Sequence, residues 1–341
     1  MPAVEAPAKA LVTGANGYLA AWIVRILLEQ GYRVRGTVRS TEKGDELKRA
    51  FAEFEGKFEY VIVKDVLQDG AFDEAVKGVN LIVHSLSPVI ISNVPDEVIP
   101  PAVKGTVGVL QSAKKHQDTV KRVVITGSIA AVVQYPPVPA IWDESSVNES
   151  SIKAIEEGIV NPGIIYCASK TMAEKEAWAF VKNEHISSFD VVFLHGNSFI
   201  GPPLLPAKST KELSSSLQHL YMGAVFSRDA ETSFAASGGW IDVRDIALGH
   251  VLASQKPEAG GERIIMSAGE FVWQDLHDLA HAIDPILPAG DPSSEKVYFT
   301  RYNNEKMKRI LGLKPRPLEE TMRDSLAFYK TVPDKTFNSA M

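Results

Sequence analysis

The chain has 341 residues and one cysteine, Cys167, so it cannot close an internal disulfide. That fits a reducing compartment. It has no block of basic residues, and 42 acidic against 36 basic side chains leave a net charge of −6. Nucleic acid is therefore not expected as a partner. No uncharged apolar stretch reaches the roughly 20 residues that a membrane span needs. The start, MPAVEAPAKALVTGA, has no charged segment followed by a long apolar run, so it does not read as a secretory signal. Repeats and low-complexity tracts are missing too. These absences lead to the expectation of a soluble cytoplasmic protein, monomer or homodimer, without membrane or nucleic-acid partners. The sequence is 45% hydrophobic, enough for a sizeable core, and its length suggests about two domains.

After a loose leader over residues 1–8, the apolar run Ala10–Thr13 reads as a buried strand. The turn Gly14-Ala15-Asn16-Gly17 and then Tyr18-Leu19-Ala20 lead into the helical run AWIVRILLEQ, which stops at Gly31. Strand, Gly-rich turn and helix is the geometry that lays a pyrophosphate on a helix N-terminus. The competing reading is an ordinary strand-to-helix turn containing two glycines. Further strands are expected at Arg33–Arg39, Phe58–Val63, Leu81–Val83, Arg122–Thr126 and Asp190–Leu194. Helical patterns lie between them at 43–54, around 71–76, at 97–115 and at 166–183. Such alternation predicts a doubly wound parallel sheet, an α/β Rossmann-type fold. The expected division is a dinucleotide-binding domain over 1–197 plus 235–261, and a smaller discontinuous substrate domain over 198–234 plus 262–341.

One further absence bears on the cofactor. NAD enzymes usually end the second strand on an acid that binds the ribose 2′-hydroxyl. No Asp or Glu follows this strand before Glu42; Arg39 stands at its end, and Lys43 comes four residues later. A guanidinium fork suits a phosphate, so the pattern points to NADP(H). Two plain surface charges are the alternative, most of all for Lys43.

Tyr166-Cys167-Ala168-Ser169-Lys170 places a Tyr and a Lys on one helix face, one turn apart. A free phenol titrates near ~10; a neighbouring ammonium favours the phenolate, so the phenol can exchange a proton with a substrate oxygen. Alone, this spacing is common in helices. Ser128 lies just past the fifth strand, at the carboxyl edge where α/β sheets bind ligands, or it is a turn serine bonded to backbone. His277 and His281 share a helical spacing with zinc sites but lack the Glu and a third ligand, and read as core or surface. Cys167 reads as a small buried residue.

TGANGYLA, Asp65-Val66, HSLSP, Ser128, YCASK and WIDVRD together resemble the extended short-chain dehydrogenase/reductases. Within them the chain is similar to the dihydroflavonol and cinnamoyl-CoA reductase branch, and most of all to the fungal NADPH-dependent methylglyoxal and carbonyl reductases. The resemblance implies that Ser128 holds a carbonyl oxygen, Tyr166 gives the proton, and Lys170 lowers the tyrosine pKa and holds the nicotinamide ribose. It also implies Arg39 and Lys43 on the 2′-phosphate, Asp65 and Val66 at the adenine, and Ser85, Leu86 and Ser87 near the pyrophosphate or nicotinamide. The chain departs from the family at Leu86, usually Ala, at Gly127, often Ser or Thr, and around Gly196-Asn197, often Asn-Pro. The Asp242–Asp245 run is expected to tie the two domains together.

The expected activity is reduction of prochiral ketones or aldehydes to chiral alcohols. The neutral stretch after the fourth strand, with Val89 and Ile90, is expected to line the substrate pocket with Ile129, His195, Phe199, Leu204, Tyr221, Met222 and Phe226. Two other functions use the same scaffold: a sugar-nucleotide epimerase or dehydratase, and a non-enzymatic NADP-binding regulator. The first would need cations in the second domain, where Lys208, Lys211 and Arg228 are balanced by Glu212, Asp229 and Glu231. The second has no need of Ser128, Tyr166 and Lys170 together.

Overall fold

The computed structural model describes residues 3–86, 92–220, 237–291, 293 and 295–333. In chain order the large sheet takes β1 (Lys9–Thr13), β2 (Arg33–Val38), β3 (Phe58–Ile62), β4 (Leu81–His84), β5 (Arg122–Ser128), β7 (Asp190–Gly196) and β10 (Arg263–Met266). The short strand β6 (Ala140–Trp142) pairs with β12 (Thr300–Tyr302), and β8 (Ser198–Ile200) and β9 (Ser237–Asp242) form a second sheet with β11 (Gly269–Val272). The large sheet has seven strands in the order β10-β7-β5-β4-β1-β2-β3, all parallel. The strand order reverses between β1 and β4, so their carboxyl ends open a crevice where such sheets bind ligands.

The helices are α1 (Tyr18–Glu29), α2 (Thr41–Ala50), α3 (Asp73–Val76), α4 (Pro95–Lys115), α5 (Glu149–Glu156), α6 (Pro162–Asn183), α7 (Ser215–Leu220), α8 (Val243–Gln255), α9 (Trp273–Ile283) and α10 (Leu318–Tyr329). Their apolar faces cover both sides of the sheet. One core packs α1 and α8 against it through Ile23, Leu27, Ile246 and Val251; the other packs Val109, Leu110 and Ala177 against Val123 and Val191. Full burial of each such side chain stabilises by about 1.5–3 kcal/mol.

A third core unites Ile200, Leu217, Trp240, Phe271, Leu276 and Met322, beneath the second sheet and helices α7, α9 and α10. The strand Arg263–Met266, expected in the smaller domain, instead forms an edge of the large sheet beside β7. Its apolar run, Ile264–Met266, is fully buried, and a parallel sheet covered on both faces demands such runs.

Polar contacts lock the two parts together. The Tyr18 hydroxyl donates to the Gly201 carbonyl at 2.7 Å and the Trp22 indole to the Pro202 carbonyl at 2.9 Å. Asp242 accepts from the Arg244 backbone at 2.8 Å, from its guanidinium at 2.7 Å and from Thr321 Oγ1 at 2.8 Å. Arg244 reaches Asp324 at 2.6 Å, and Asp245 binds Arg316. The acidic run thus ties α8 to the C-terminal segment, as the sequence suggests.

The floor of the large sheet carries a buried charge pair. Arg122 on β5 is fully buried and forks onto Asp190 of β7 at 2.6 and 2.8 Å. It also donates to the carbonyls of Ala253 and Lys256. Arg122→Met strands the Asp190 carboxylate, and unfolding free energy should fall by about 3–5 kcal/mol. Equilibrium urea unfolding checks this; a loss below about 1 kcal/mol would show that water reaches the pair.

Candidate active site

The site is built where β1, β4 and β5 end against the N-terminal half of α6. Gly14 closes the turn after β1 with φ of +64°, a conformation that side chains resist. A Cβ there would also press on Leu86, 3.3 Å away. Gly17 donates to the Gly14 carbonyl at 2.8 Å and is exposed at the N-cap of α1, with no side chain over the helix end. The first backbone N–H groups of a 12-residue helix therefore face the crevice. Thr37 fixes the turn from β2: its hydroxyl accepts from Gly14 N at 2.9 Å and its carbonyl from Ala15 N at 2.9 Å. Gly36 gives the room for this approach, since a Cβ there would lie 2.6 Å from Ala15 Cβ.

Arg39 and Ser40 follow β2 at the surface, and Ser40 caps α2 by accepting from Lys43 N at 3.4 Å. The Lys43 ammonium pairs with Glu46 at 3.0 Å, whereas Arg39 is exposed. Asp65 caps its own turn, accepting from Leu67 N at 2.9 Å, and Val66 packs against the sheet. At the end of β4, Ser85 Oγ donates to the Thr13 carbonyl at 3.2 Å. Leu86 N donates to Thr13 Oγ1 at 3.2 Å, and the same hydroxyl meets His84 Nδ1 at 3.0 Å. Burial and the nearby Lys170 charge push His84 down to about 3, so it is neutral.

Helix α6 starts at Pro162, with Asn161 as N-cap accepting from Ile164 N at 2.9 Å. The sequence expectation began it at 166; Asn-Pro at a helix start supplies both a cap and a preset first residue. Tyr166, one turn in, donates through its hydroxyl to Ser128 Oγ at 3.4 Å. Ser128 Oγ also accepts from Ala130 N at 3.2 Å. Lys170 Nζ lies 5.7 Å from the centroid of the Tyr166 ring. Burial lowers Lys170 to about 8. It also raises the Tyr166 phenol above its ordinary value, partly offset by the Ser128 hydrogen bond. Cys167, beside them, is buried, and burial pushes its thiol up to about 11, which fits the packing role read from the sequence.

Three side chains assigned from the sequence, Ser128, Tyr166 and Lys170, are thus brought together, next to the glycine turn. His195 is a correction. Expected to contact substrate, it is fully buried and held between Ser128 O at 3.1 Å and Glu174 Oε1 of α6 at 3.2 Å. The absent Cβ of Gly127 leaves the space for its ring. Leu204 packs with Phe199 against the main core near Tyr18 and Trp22. Ile129 follows Ser128 and leans on Val132, Trp142 and Ile265. Ser87, Val89, Ile90, Tyr221, Met222 and Phe226 lie outside the described residues.

The sequence reading missed Thr13, Thr37 and Glu174. Glu174 had a signal: it stands four residues after Lys170 and eight after Tyr166, on the same face of α6. Its carboxylate is buried, and burial alone would raise it. The His195 and Arg263 contacts outweigh that and hold it at about 2.

The family described as NAD dependent epimerase/dehydratase matches residues 10–269. An NADPH-dependent methylglyoxal reductase of Saccharomyces cerevisiae is 34% identical over 92% of this chain and 96% of its own. A ketoreductase of Aspergillus niger is 33% identical over 93% of this chain and 96% of its own. The crystal structure of the yeast methylglyoxal/isovaleraldehyde reductase complexed with NADPH superposes with a TM-score of 0.86. It is 31% identical and covers 98% of this chain and all of that one.

Proposed function

The chain belongs to the NAD dependent epimerase/dehydratase family, and from that membership and its cleft we propose that it is an NADPH-dependent carbonyl reductase. The observation that carries this reading is the contact of Tyr166 with Ser128 at the mouth of a glycine cradle. The cradle fits a dinucleotide: its glycines admit phosphate, the α1 N-terminus favours negative charge, and no acid stands between the end of β2 and Glu42. Gly14, Asn16, Gly17, Tyr18 and Leu19 would hold the pyrophosphate, Arg39 the 2′-phosphate, and Asp65 and Val66 the adenine. Ser85, Leu86 and Lys170 would lie toward the nicotinamide. Bound there, NADPH supplies a hydride.

Ser128 Oγ donates to the substrate carbonyl oxygen and polarises it. Tyr166 donates its proton to that oxygen as negative charge develops. Protonated Lys170 stabilises the phenolate left behind. The unit built on the third core closes the crevice from the other side as the substrate-binding domain, with Phe199 at its edge. The substrates are prochiral ketones, keto esters and aldehydes, and the products chiral alcohols. The protein works in the cytoplasm, as a monomer or homodimer. No helix among the described residues is long and apolar enough to cross a membrane.

Three measurements test this. NADPH oxidation with methylglyoxal or an aryl ketone should be slowed roughly 10²-fold or more by Tyr166→Phe, the range of a general acid, while NADPH binding stays within about twofold. A variant keeping more than half of wild-type turnover sinks the assignment.

The Lys170 charge gives the pH dependence its sign. The protonated form is the active one, and burial sets its loss near pH 8. The kcat/KM for NADPH should therefore fall as pH rises through about 8, because that ratio reports ionisations of the free enzyme. A rate rising through that range contradicts the role given to Lys170.

Arg39→Ala should weaken NADPH binding by about 10- to 100-fold, the worth of one charge-assisted phosphate contact, and leave NADH nearly untouched. Equal losses for both cofactors would place Arg39 away from the 2′-phosphate.

A further inference from the structure

Three buried histidines stand at or near the carboxyl edge of the large sheet, and their neighbours treat them differently. His84 Nδ1 meets the Thr13 hydroxyl, which can donate as well as accept. His250 Nδ1 donates to the Ile246 carbonyl, and its Nε2 accepts from Thr126 Oγ1 at 2.8 Å. Both rings are satisfied as neutral imidazoles, and burial holds them at about 3 and about 4. His195 has no such option. Its Nδ1 faces the carbonyl of Ser128, and its Nε2 faces a carboxylate oxygen of Glu174. Both partners only accept. Both bonds form together only when both nitrogens carry a proton, that is, in the imidazolium form.

Glu174 is buried on α6 and also accepts from Arg263 of β10, Nε at 2.6 Å and Nη2 at 3.2 Å, and from Trp178 Nε1 at 3.2 Å. Lys170 and His84 are the other titratable groups facing His195, across a cavity of about 20 Å3 that lies against α4 at Gly105 and Thr106. Those two α4 residues carry no charge. Beneath the ring, Phe193 stacks at 6.0 Å between centroids, tilted by 13°. From β5, Gly127 admits the ring: a Cβ there would sit 2.7 Å from Nδ1 and 3.0 Å from Cε1.

We propose that His195 is a positioning residue of the proton-transfer centre: as an imidazolium held by Glu174, it anchors the Ser128 backbone and so aims the Ser128 hydroxyl at the Tyr166 phenol. The proposal rests on the roles given above to Ser128 and Tyr166. His195 touches no reacting atom; it acts through the carbonyl of the residue that does. The Ser128 carbonyl lies at the last register position of β5, opposite Gly196 of β7. Beyond that level the ladder ends, and a bond from a charged donor holds the strand end where backbone pairing no longer does.

The test has a spectroscopic and a kinetic arm. With 15N-labelled histidine, wild type at pH 8 should show one imidazole protonated at both nitrogens, and that signal should vanish in His195→Ala. A neutral His195 overturns the proposal. In kinetics, His195→Ala should lower kcat by about 10- to 100-fold, the cost of a misplaced reacting group, with NADPH affinity unchanged. Gly127→Ala, which pushes the ring off the Ser128 carbonyl without removing it, should do the same. Glu174→Gln removes the counter-charge, so its kcat should fall with rising pH over roughly pH 5 to 8, where imidazoles titrate. The double variant His195→Ala/Glu174→Gln should lose that dependence. Wild-type kcat in both His195→Ala and Gly127→Ala, with Tyr166→Phe inactive, would overturn the positioning role alone. An active Tyr166→Phe would instead bring down the reading beneath it.

Discussion

One buried carboxylate, Glu174, sets the rotation of the helix on which the site depends. A carboxylate without partners at 5% exposure would cost several kcal/mol. Glu174 must therefore stay on Arg263 and His195, and α6 cannot turn about its axis without breaking both contacts. Lys170 lies one turn earlier and Tyr166 two turns earlier on the same face. The rotation that satisfies Glu174 therefore points the phenol at Ser128 and the amine into the crevice. Burial on α6 is not decided by apolar periodicity alone; its buried set includes Ser169, Thr171 and Glu174 beside Ile165 and Ala168. Polar groups on both neighbouring strands make that composition stable.

The opposite wall of the crevice is set by small residues rather than by charge. Gly36 and Ala15 let β2 and the first turn approach, and Thr37 uses that closeness to hold the turn by two hydrogen bonds. Thr13 does the same toward β4, bonding His84, Ser85 and Leu86 through one hydroxyl and one carbonyl. Tyr18 and Trp22, on the helix that follows, then reach over to the carbonyls of Gly201 and Pro202. The segment that brackets the dinucleotide cradle is thus bonded directly to the loop that enters the smaller unit. If these are the cofactor and substrate sides, as proposed, the two bonds would help fix the distance between hydride donor and acceptor carbon.

Much of this was legible in the sequence, because it is local. Apolar runs stopped by glycine gave the strands of the large sheet, and the spacing of Tyr166 and Lys170 gave one face of α6. The strand ends were read short: β5 and β7 each continue two residues beyond their apolar runs, pairing Gly127 with His195 and Ser128 with Gly196. Pairing at a sheet edge leaves no hydrophobic pattern to read. The strand Arg263–Met266 was placed in the wrong unit because a short apolar run does not say which sheet it joins. The network around Glu174 was illegible for the same reason. Its bonds join residues 21 and 89 positions apart, and only the fold brings them together.

The charges beneath the site act in one direction. Arg263 is a cation and Lys170 is one below about pH 8; Glu174 is the anion among them. Cationic charge beneath a phenol does little to the neutral form but favours the phenolate, the species that would be left if Tyr166 gave up its proton. In a site of low dielectric such fixed charges act more strongly than in water. Without ligand, burial dominates and the phenol stays protonated, ready to donate. In the proposed reaction the proton would be held by desolvation before transfer, while the charges beneath would favour the state after it has left. An arrangement that favours the later state more than the earlier one is what lowers a barrier.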